Sequence, residues 1–286
     1  MPDWLHRHRG LIPYLFLVPG GLWLIVFFVI PLITTVSVAL QEGSLSAGYR
    51  LTFNFGIFAD SIGRWNTQLL RSLQFGLIVT VLAMLIGYPM AYTIAFRGGR
   101  YKNILLLLVI MPFFTSFIIR TISWKFILAD QGFLLGSLKD LGILEPGFRL
   151  LATPVAVISG ITYNFLPFVV LPLYVALERI DPRLIEAAND LYASRLQAFL
   201  RVTLPLSISG VFAASLLSFI PAVGDYLNAE LLGSRNETMI GNVIQRLYLV
   251  NNDYPQASAL SLILMIGILI SVFIYIRILR GRELTV

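Results

Sequence analysis

Long apolar runs alternate with short polar segments along the whole chain, and this pattern predicts helices that span a membrane. A helix needs ~20 largely apolar residues to cross a hydrocarbon layer of about 30 Å. Six runs come near this length, at residues 11–40, 72–96, 104–128, 153–177, 206–227 and 257–276. We therefore expect an all-α, polytopic membrane protein with six transmembrane helices. Because no long linker or internal repeat interrupts the pattern, residues 1–286 are expected to form a single transmembrane domain.

The first apolar run has two interpretations. A secretory signal peptide also joins a basic segment to an apolar stretch, but that stretch is only about 7–15 residues long and ends near a cleavage site. The run at 11–40 is longer and has no clear site of this kind soon after it. It is therefore expected to remain as the first span. Pro19 and Pro31 lie inside it and predict a kinked or two-part helix.

Residues 178–205 form a polar, charge-dense segment between two apolar runs. Asp181-Pro182 suits a helix start, because Asp can cap free amides and Pro fits the first turn. From Glu186 to Pro205 the pattern predicts one helix of about five turns. Leu184, Ala187, Ala188 and Leu191 share one face of it. Since two of these are alanines, another protein could approach the backbone closely; a solvated loop helix is the alternative. The other polar segment, 41–71, is expected to be an exterior loop with a short interfacial helix near residues 55–65.

The composition excludes several classes of chemistry. The chain is 57% hydrophobic and 13% charged, with a mean hydropathy of +0.82, which is unlike a soluble domain. It has no cysteine, so disulfides and thiolate chemistry are absent, and its two histidines lie in the amino-terminal tail. No Gly-x4-Gly-Lys-Ser/Thr sequence is present to cradle nucleotide phosphates. The sequence therefore predicts a protein without catalytic, metal or cofactor sites, and any ATP with its Mg²⁺ would be used by another subunit.

The positive net charge is explained by membrane orientation. With the amino terminus inside, 12 of the 21 basic residues and six of the 15 acidic residues lie on inner segments. The whole excess of +6 then falls on the inner side, as the positive-inside rule expects, and no nucleic-acid partner is needed. Both termini and the segment 178–205 are predicted to be cytoplasmic, in a chain that crosses the membrane several times among lipids.

Polar residues at membrane depth are the candidates for a translocation path, because such residues are costly there and usually face a cavity. The candidates are Arg120, Trp124, Asn164, Asp225 and Tyr226. Asp225 has two readings, an interfacial residue that faces outer water or a carboxylate that lines the path. In the second case it would attract an organic cation together with the aromatic faces of Trp124 and Tyr226. For Arg120 we favour pairing with a carboxylate or backbone carbonyls, and for Asn164 an interhelical hydrogen bond.

The polar segment 178–205 resembles the EAA loop of bacterial ABC importer permeases. Glu186-Ala187-Ala188 and Val202-Thr203-Leu204-Pro205 stand at the separation of that motif, whereas Tyr192 replaces its glycine. The resemblance implies the type I importer permease fold and a loop of two short helices that docks on a cytoplasmic ATPase, with the glycine at the bend. It implies an ATPase-coupling role for Glu186, Ala187, Ala188, Asp190, Leu191, Tyr192 and Pro205. The implied partners are a second permease in a heterodimer, two ATPase copies and an external substrate-binding protein.

A second resemblance concerns the substrate. The stretch from Met111 to Trp124 is similar to the Pro-x-x-x-Ser-x-x-x-Arg-Thr-x-x-Trp segment of polyamine importer permeases, and so is the outer loop from Ile240 to Ala259. This implies import of spermidine or putrescine across a bacterial inner membrane. Permeases for iron, phosphonates, thiamine and sulfate share parts of these signals, so another small solute is the alternative. An ion-driven secondary transporter would need mid-span carboxylates and preferably an inverted repeat, which the sequence does not show.

Overall fold

The computed structural model describes residues 12–283, which are mostly helical. The first half contains helices α1 (Ile12–Leu24) and α2 (Ile30–Ala39), strands β1 (Gln41–Ser44) and β2 (Gly48–Leu51), and helices α3 (Gly56–Arg97), α4 (Lys102–Ile110), α5 (Phe117–Ile127) and α6 (Phe133–Asp140). The second half contains α7 (Pro154–Glu178), α8 (Pro182–Asp190), α9 (Arg195–Ala198), α10 (Leu204–Leu206), α11 (Ile208–Val223), α12 (Leu227–Leu232), α13 (Ile240–Leu249) and α14 (Tyr254–Glu283).

Short π-helical and 3-10 segments connect several of these helices. The π segments are Ile25–Val29, between α1 and α2, and Phe199–Thr203, between α9 and α10. The 3-10 turns are Gly99–Tyr101, Met111–Phe114 and Arg235–Glu237. The predicted two-part first helix is thus a helix with a π insertion.

The basic tail residues Arg7 and Arg9, on which the predicted orientation partly depends, lie outside the described residues.

The described chain packs as two compact units. One contains residues 12–64 and 244–266, and the other residues 65–243 and 267–283. In the first unit β1 and β2 form an antiparallel hairpin in which Gln41 pairs with Leu51 and Ser44 with Gly48. The Tyr49 hydroxyl donates to the carbonyl oxygen of Asn252, and its ring lies 5.5 Å from the ring of Tyr254. A single domain over 1–286 stays a prediction.

Four helical segments are long and apolar enough to cross a membrane, and six if each of two bent pairs counts as one span. The four are Phe16–Ala39, Gly56–Arg97, Pro154–Glu178 and Tyr254–Arg277. The upper count equals the six spans predicted. The bent pairs are Gly99–Phe114 with Phe117–Ile127, at 95°, and Arg195–Leu206 with Ile208–Val223, at 69°. The predicted spans 104–128 and 206–227 are therefore not continuous helices.

Local backbone geometry explains where these helices break. The third span breaks where Thr115 adopts an extended conformation (φ −89°, ψ 146°) after Pro112, and the fifth breaks at Ser207 (φ −94°, ψ 6°) after Pro205. The segment 41–71 is also not one loop. It contains the hairpin and the start of α3, a 42-residue helix with a kink at Trp65 (φ −119°, ψ 19°). The helix that carries the second predicted span therefore begins at Gly56, and its part before the kink matches the short helix predicted near residues 55–65.

The core of the second unit lies where α7 and α11 pack together. Val169, Leu173 and Leu177 on α7 are fully buried, as is Ala214 on α11. The helices approach closely at Gly210, where a built Cβ would lie 2.4 Å from the Cβ of Ala176 and 2.9 Å from the carbonyl oxygen of Pro172. Gly210 is therefore required by packing. At the end of α7, both carboxylate oxygens of Glu178 accept from Lys102 Nζ at 2.7 Å.

Candidate functional site

The polar loop after α7 consists of two short helices. Asp181 caps α8, since its Oδ1 accepts from the amide of Arg183 at 3.0 Å. A capping box starts α9, in which Ser194 and Gln197 satisfy each other's backbone amides. The prediction of one five-turn helix from 186 to 205 was therefore wrong. Ser194 followed three residues later by Gln197 is the sequence signal for a new helix start that the apolar pattern did not reveal.

Tyr192 occupies the bend between α8 and α9. Its backbone is left-handed, with φ +59°, at the position where the EAA motif has glycine. This conformation costs an L-residue roughly 1–2 kcal/mol, and the surrounding turn supports it. The amide of Tyr192 donates to the carbonyl of Asn189, and the amide of Ala193 donates to that of Ala188. The bend expected from the resemblance is thus present without the glycine.

Substitution of Tyr192 tests this strain. The side chain is 97% exposed, so few contacts within this chain are lost when it is replaced. Tyr192→Val is expected to destabilise the fold by about 1 kcal/mol or more, because β-branched residues fit a positive φ poorly. Tyr192→Gly is expected to stay within about 1 kcal/mol of the parent, since relief of strain is offset by chain entropy. Thermal melting of the purified protein in detergent measures both; equal melting of the two variants would contradict the argument.

The loop leaves an apolar surface uncovered within this chain. Leu191 is 81% exposed, and Leu184, Tyr192, Leu196 and Leu200 are also exposed. Ala187 is exposed and Ala188 is half-buried on the same helix. Glu186 and Asp190 are exposed, and neither forms an ion pair within residues 12–283. Pro205 is exposed in α10. The residues predicted for ATPase coupling thus border a surface with apolar, small and acidic groups.

A second set of candidates meets in a buried hydrogen-bonded cluster between α5, α7 and the start of α12. Asn164 Nδ2 donates to Thr121 Oγ1 and to Asn228 Oδ1, each at 3.2 Å. Asn228 donates from its amide and from Nδ2 to the two carboxylate oxygens of Asp225, at 2.8 and 2.7 Å. Asp225 is 6% exposed, so within this chain it does not face open water. The expected interhelical role of Asn164 agrees with this geometry.

Sequence reasoning did not single out Thr121 and Asn228, although both are fully buried at the centre of the cluster. A weak signal existed for Asn228. Asp225 stands three residues before it and accepts from its amide, which is a capping arrangement before α12. Thr121 is the threonine of the Arg-Thr-x-x-Trp segment, but only its position against α12 shows its role, since its Oγ1 also donates to Asn228 Oδ1 at 3.2 Å.

Aromatic side chains lie beside this cluster. The rings of Trp124 and Tyr163 stack with centroids 5.3 Å apart and an interplanar angle of 2°. Gly160 permits this packing, because a built Cβ would lie 3.1 Å from Trp124 Cδ1 and 3.0 Å from Asn228 Oδ1. Trp124 and Asn228 therefore both approach α7 at Gly160, and Asp225 accepts from Asn228. Tyr226 is exposed and contributes its carbonyl oxygen, which accepts from Asn242 Nδ2 at 2.7 Å.

Arg120 is 8% exposed and lies on α5 next to Thr121. Its guanidinium carbon stands 5.6 Å from the centre of the Phe117 ring. Within residues 12–283, no side chain or carbonyl accepts from its Nε or Nη1. The favoured pairing of Arg120 with a carboxylate or backbone carbonyls is therefore absent from the described chain. Over the same range, no three His, Asp or Glu side chains are arranged to hold a metal ion.

Apolar helices of membrane length, joined by a bent polar loop, define an integral membrane protein. The chain belongs to the family of binding-protein-dependent transport system inner membrane components, whose model matches residues 55–282. It is a permease subunit with a transport role, and its place is the inner membrane. The orientation of its termini stays a prediction.

Relatives and solved structures agree with this assignment. The chain is 39% identical over 264 residues to the spermidine/putrescine transport system permease protein PotB of Haemophilus influenzae, covering 89% of this chain and 90% of the relative. It is 34% identical to PotB of Escherichia coli K12, covering 88% and 92%. A bacterial ABC transporter involved in the import of the acidic polysaccharide alginate has a chain with TM-score 0.73 and 21% identity, covering 97% and 98%. A chain of the MetNI methionine ABC transporter has TM-score 0.57 and 19% identity, covering 75% and 94%. These structures share the fold.

Proposed function

We propose that the chain is a translocation subunit of an ATP-driven importer for polyamines such as spermidine and putrescine. The observation that carries the proposal is 39% identity to a spermidine/putrescine permease over nine-tenths of both chains. The site chemistry is compatible, because a polyamine combines protonated amines with methylene segments. The negative charge of Asp225 attracts the amines through space, although both its oxygens already accept from Asn228, and aromatic faces such as that of Trp124 attract both amines and methylenes. An importer of another small solute is the alternative.

The proposed assembly contains a second permease, two ATPase subunits and an external substrate-binding protein. The ATPase subunits bind ATP and Mg²⁺, and the loop of α8 and α9 docks on them. The exposed Leu191 fills an apolar pocket, Ala187 and Ala188 permit close approach, and Glu186 makes polar contacts at the edge. Closure of the ATPases moves α8 and thereby the helices joined to it. Support for this docking comes from the exposed apolar surface of the loop and from its bend.

Reconstitution tests the whole proposal. The tagged chain is purified from native membranes and its complex is placed in lipid, with and without binding protein loaded with spermidine. An associated ATPase that spermidine-loaded protein stimulates would support the proposal. Stimulation by a protein loaded with another solute, but not with spermidine, would refute the polyamine substrate. Purification of the chain without any ATPase would refute the importer and point to a secondary transporter.

Asp225 gives a sharper prediction for the substrate. Asp225→Asn keeps the shape of the side chain and one acceptor oxygen for Asn228, but it removes the negative charge. If this carboxylate attracts a cationic substrate, spermidine uptake is expected to fall by about tenfold or more, equivalent to ~1.4 kcal/mol. Uptake of labelled spermidine by cells that carry equal amounts of each variant measures the effect. Tyr226→Phe is the control for a conservative change at the adjacent position, and unchanged uptake by Asp225→Asn would contradict the prediction.

A further inference from the structure

A groove of about 660 Å³ lies between the end of α7, the start of α8 and the first half of α11. Leu171 and Val175 on α7 and Leu206 and Ala213 on the facing side form its apolar walls. Arg179, Asp181 and Ser209 lie at the same groove and supply a cation, a carboxylate and a hydroxyl. It thus combines apolar walls with two opposite charges where a predicted span meets the polar loop.

We propose that this groove binds one aminophospholipid of the inner leaflet, with its phosphate on Arg179 and its ammonium on Asp181. One acyl chain then lies along the apolar wall formed by α7 and α11. The site shares no residue with the proposed substrate path, and it borders the proposed ATPase-docking surface at Leu184. Its test measures lipid binding, so it does not depend on which solute the protein transports.

The charges of the groove favour a zwitterionic headgroup. Arg179 is exposed and forms no ion pair within residues 12–283, so its guanidinium is available for a phosphate, which it can bind through two parallel hydrogen bonds. One oxygen of Asp181 caps α8, and no donor among residues 12–283 bonds the other, so it can accept from an ammonium. The adjacent Glu178 is already occupied by Lys102. A purely anionic headgroup would meet Asp181 as a like charge, whereas a primary ammonium would bind it.

The length of the groove also fits a lipid. From Leu171 to Glu178, the last residue of α7, the groove follows the helix for about 10 Å, at ~1.5 Å per residue. This is about two-thirds of the ~15 Å that one leaflet offers, so the groove accommodates part of an acyl chain. Apolar residues line the deeper part, and the charged residues follow within about one turn. Val175, Leu184 and Leu206 are exposed within this chain, so an acyl chain would cover surface that is otherwise apolar and open.

Native mass spectrometry of the delipidated complex tests the site. Dioleoyl phosphatidylethanolamine, phosphatidylglycerol and phosphatidylcholine are added separately, and the bound fraction is measured. We expect phosphatidylethanolamine to bind most tightly. Arg179→Gln is expected to weaken its binding by about tenfold, and Asp181→Asn, which still caps α8, to abolish its preference over phosphatidylglycerol. Arg183→Gln is the matched control, because Arg183 is exposed on α8 and does not line the groove.

Each result decides the proposal. Equal binding of all three lipids by the parent, or unchanged phosphatidylethanolamine binding by Arg179→Gln, would overturn it. A second permease or ATPase subunit that shields Arg179 from chemical modification in the delipidated complex would assign the groove to that protein instead. Ala213→Trp fills the apolar end without altering a charge, and it is expected to reduce binding of all three lipids.

Discussion

A tryptophan in place of Ala188 is expected to reduce solute import and coupled ATP hydrolysis by about ten- to a hundredfold. Ala188 lies on α8 beside the exposed Ala187 and Leu191, where the proposed ATPase surface comes close to the backbone. Inserting a bulky side chain into a packed contact costs typically 1–3 kcal/mol, and each 1.4 kcal/mol corresponds to tenfold in an equilibrium. The measurement is ATPase activity in proteoliposomes that contain the native partners, with loaded binding protein.

The matched control is Ala188→Ser, which changes polarity but hardly changes size. It is expected to retain most of the activity. Retention of the ATPase subunits on the purified Ala188→Trp complex is measured in parallel, because weakened docking should reduce it. Full coupling and full subunit retention in the tryptophan variant would show that this face of α8 does not contact the ATPase.

Gly210→Ala is expected to be the most destabilising of the single methyl additions at the α7–α11 contact. The added carbon would lie 2.9 Å from the carbonyl oxygen of Pro172, and this backbone atom cannot rotate away as a side chain could. The helices must therefore separate, at a cost of about 1–3 kcal/mol. Thermal melting of the purified protein in detergent is expected to show a midpoint lower by several degrees.

Gly267 provides the control for this substitution. It lies within α14, and a built Cβ there has no neighbour within 4 Å. Gly267→Ala should therefore leave the midpoint unchanged or raise it, since Ala is the better helix former by about 0.5–1 kcal/mol. Equal melting of Gly210→Ala and Gly267→Ala would mean that α7 and α11 accommodate the methyl group.

Hydropathy was sufficient to predict how many spans are possible, because span length depends on local composition. It could not predict the breaks in the third and fifth spans, since Thr115 and Ser207 lie within apolar surroundings that look continuous. The hairpin was also missed, because its strands are only four residues each and Gln41 and Glu42 give no alternating apolar pattern. Asn252 and Tyr254 are distant from the hairpin in sequence, and their contacts with Tyr49 help to hold the hairpin in place.

For the candidate sites, the sequence likewise predicted single residues but not the contacts between them. Arg120, Trp124, Asn164 and Asp225 were recognisable one by one, since polar residues near membrane depth are uncommon. The hydrogen bonds that join Asn164 and Asp225 through Asn228 depend on how α7 and α12 pack, which the sequence does not show locally. For Tyr192, the residue type and the surrounding motif led to opposite predictions. Its residue type argues against a positive φ, whereas the surrounding motif implies a bend, and the motif gave the correct answer.

The π segment at Phe199–Thr203 has a mechanical consequence for the helices on either side. It stands between α9, in the loop, and α10 with α11, in the fifth span. Its hydrogen bonds join residues five apart, so it accommodates one residue more than an α-helical turn would. Rewinding it as an α-helix would release that residue and rotate one side relative to the other by about 100°. Because α10 meets α11 at the 69° bend at Ser207, such a rotation would swing α11 sideways, and in the proposed coupling this is how a push on the loop would reach the fifth span.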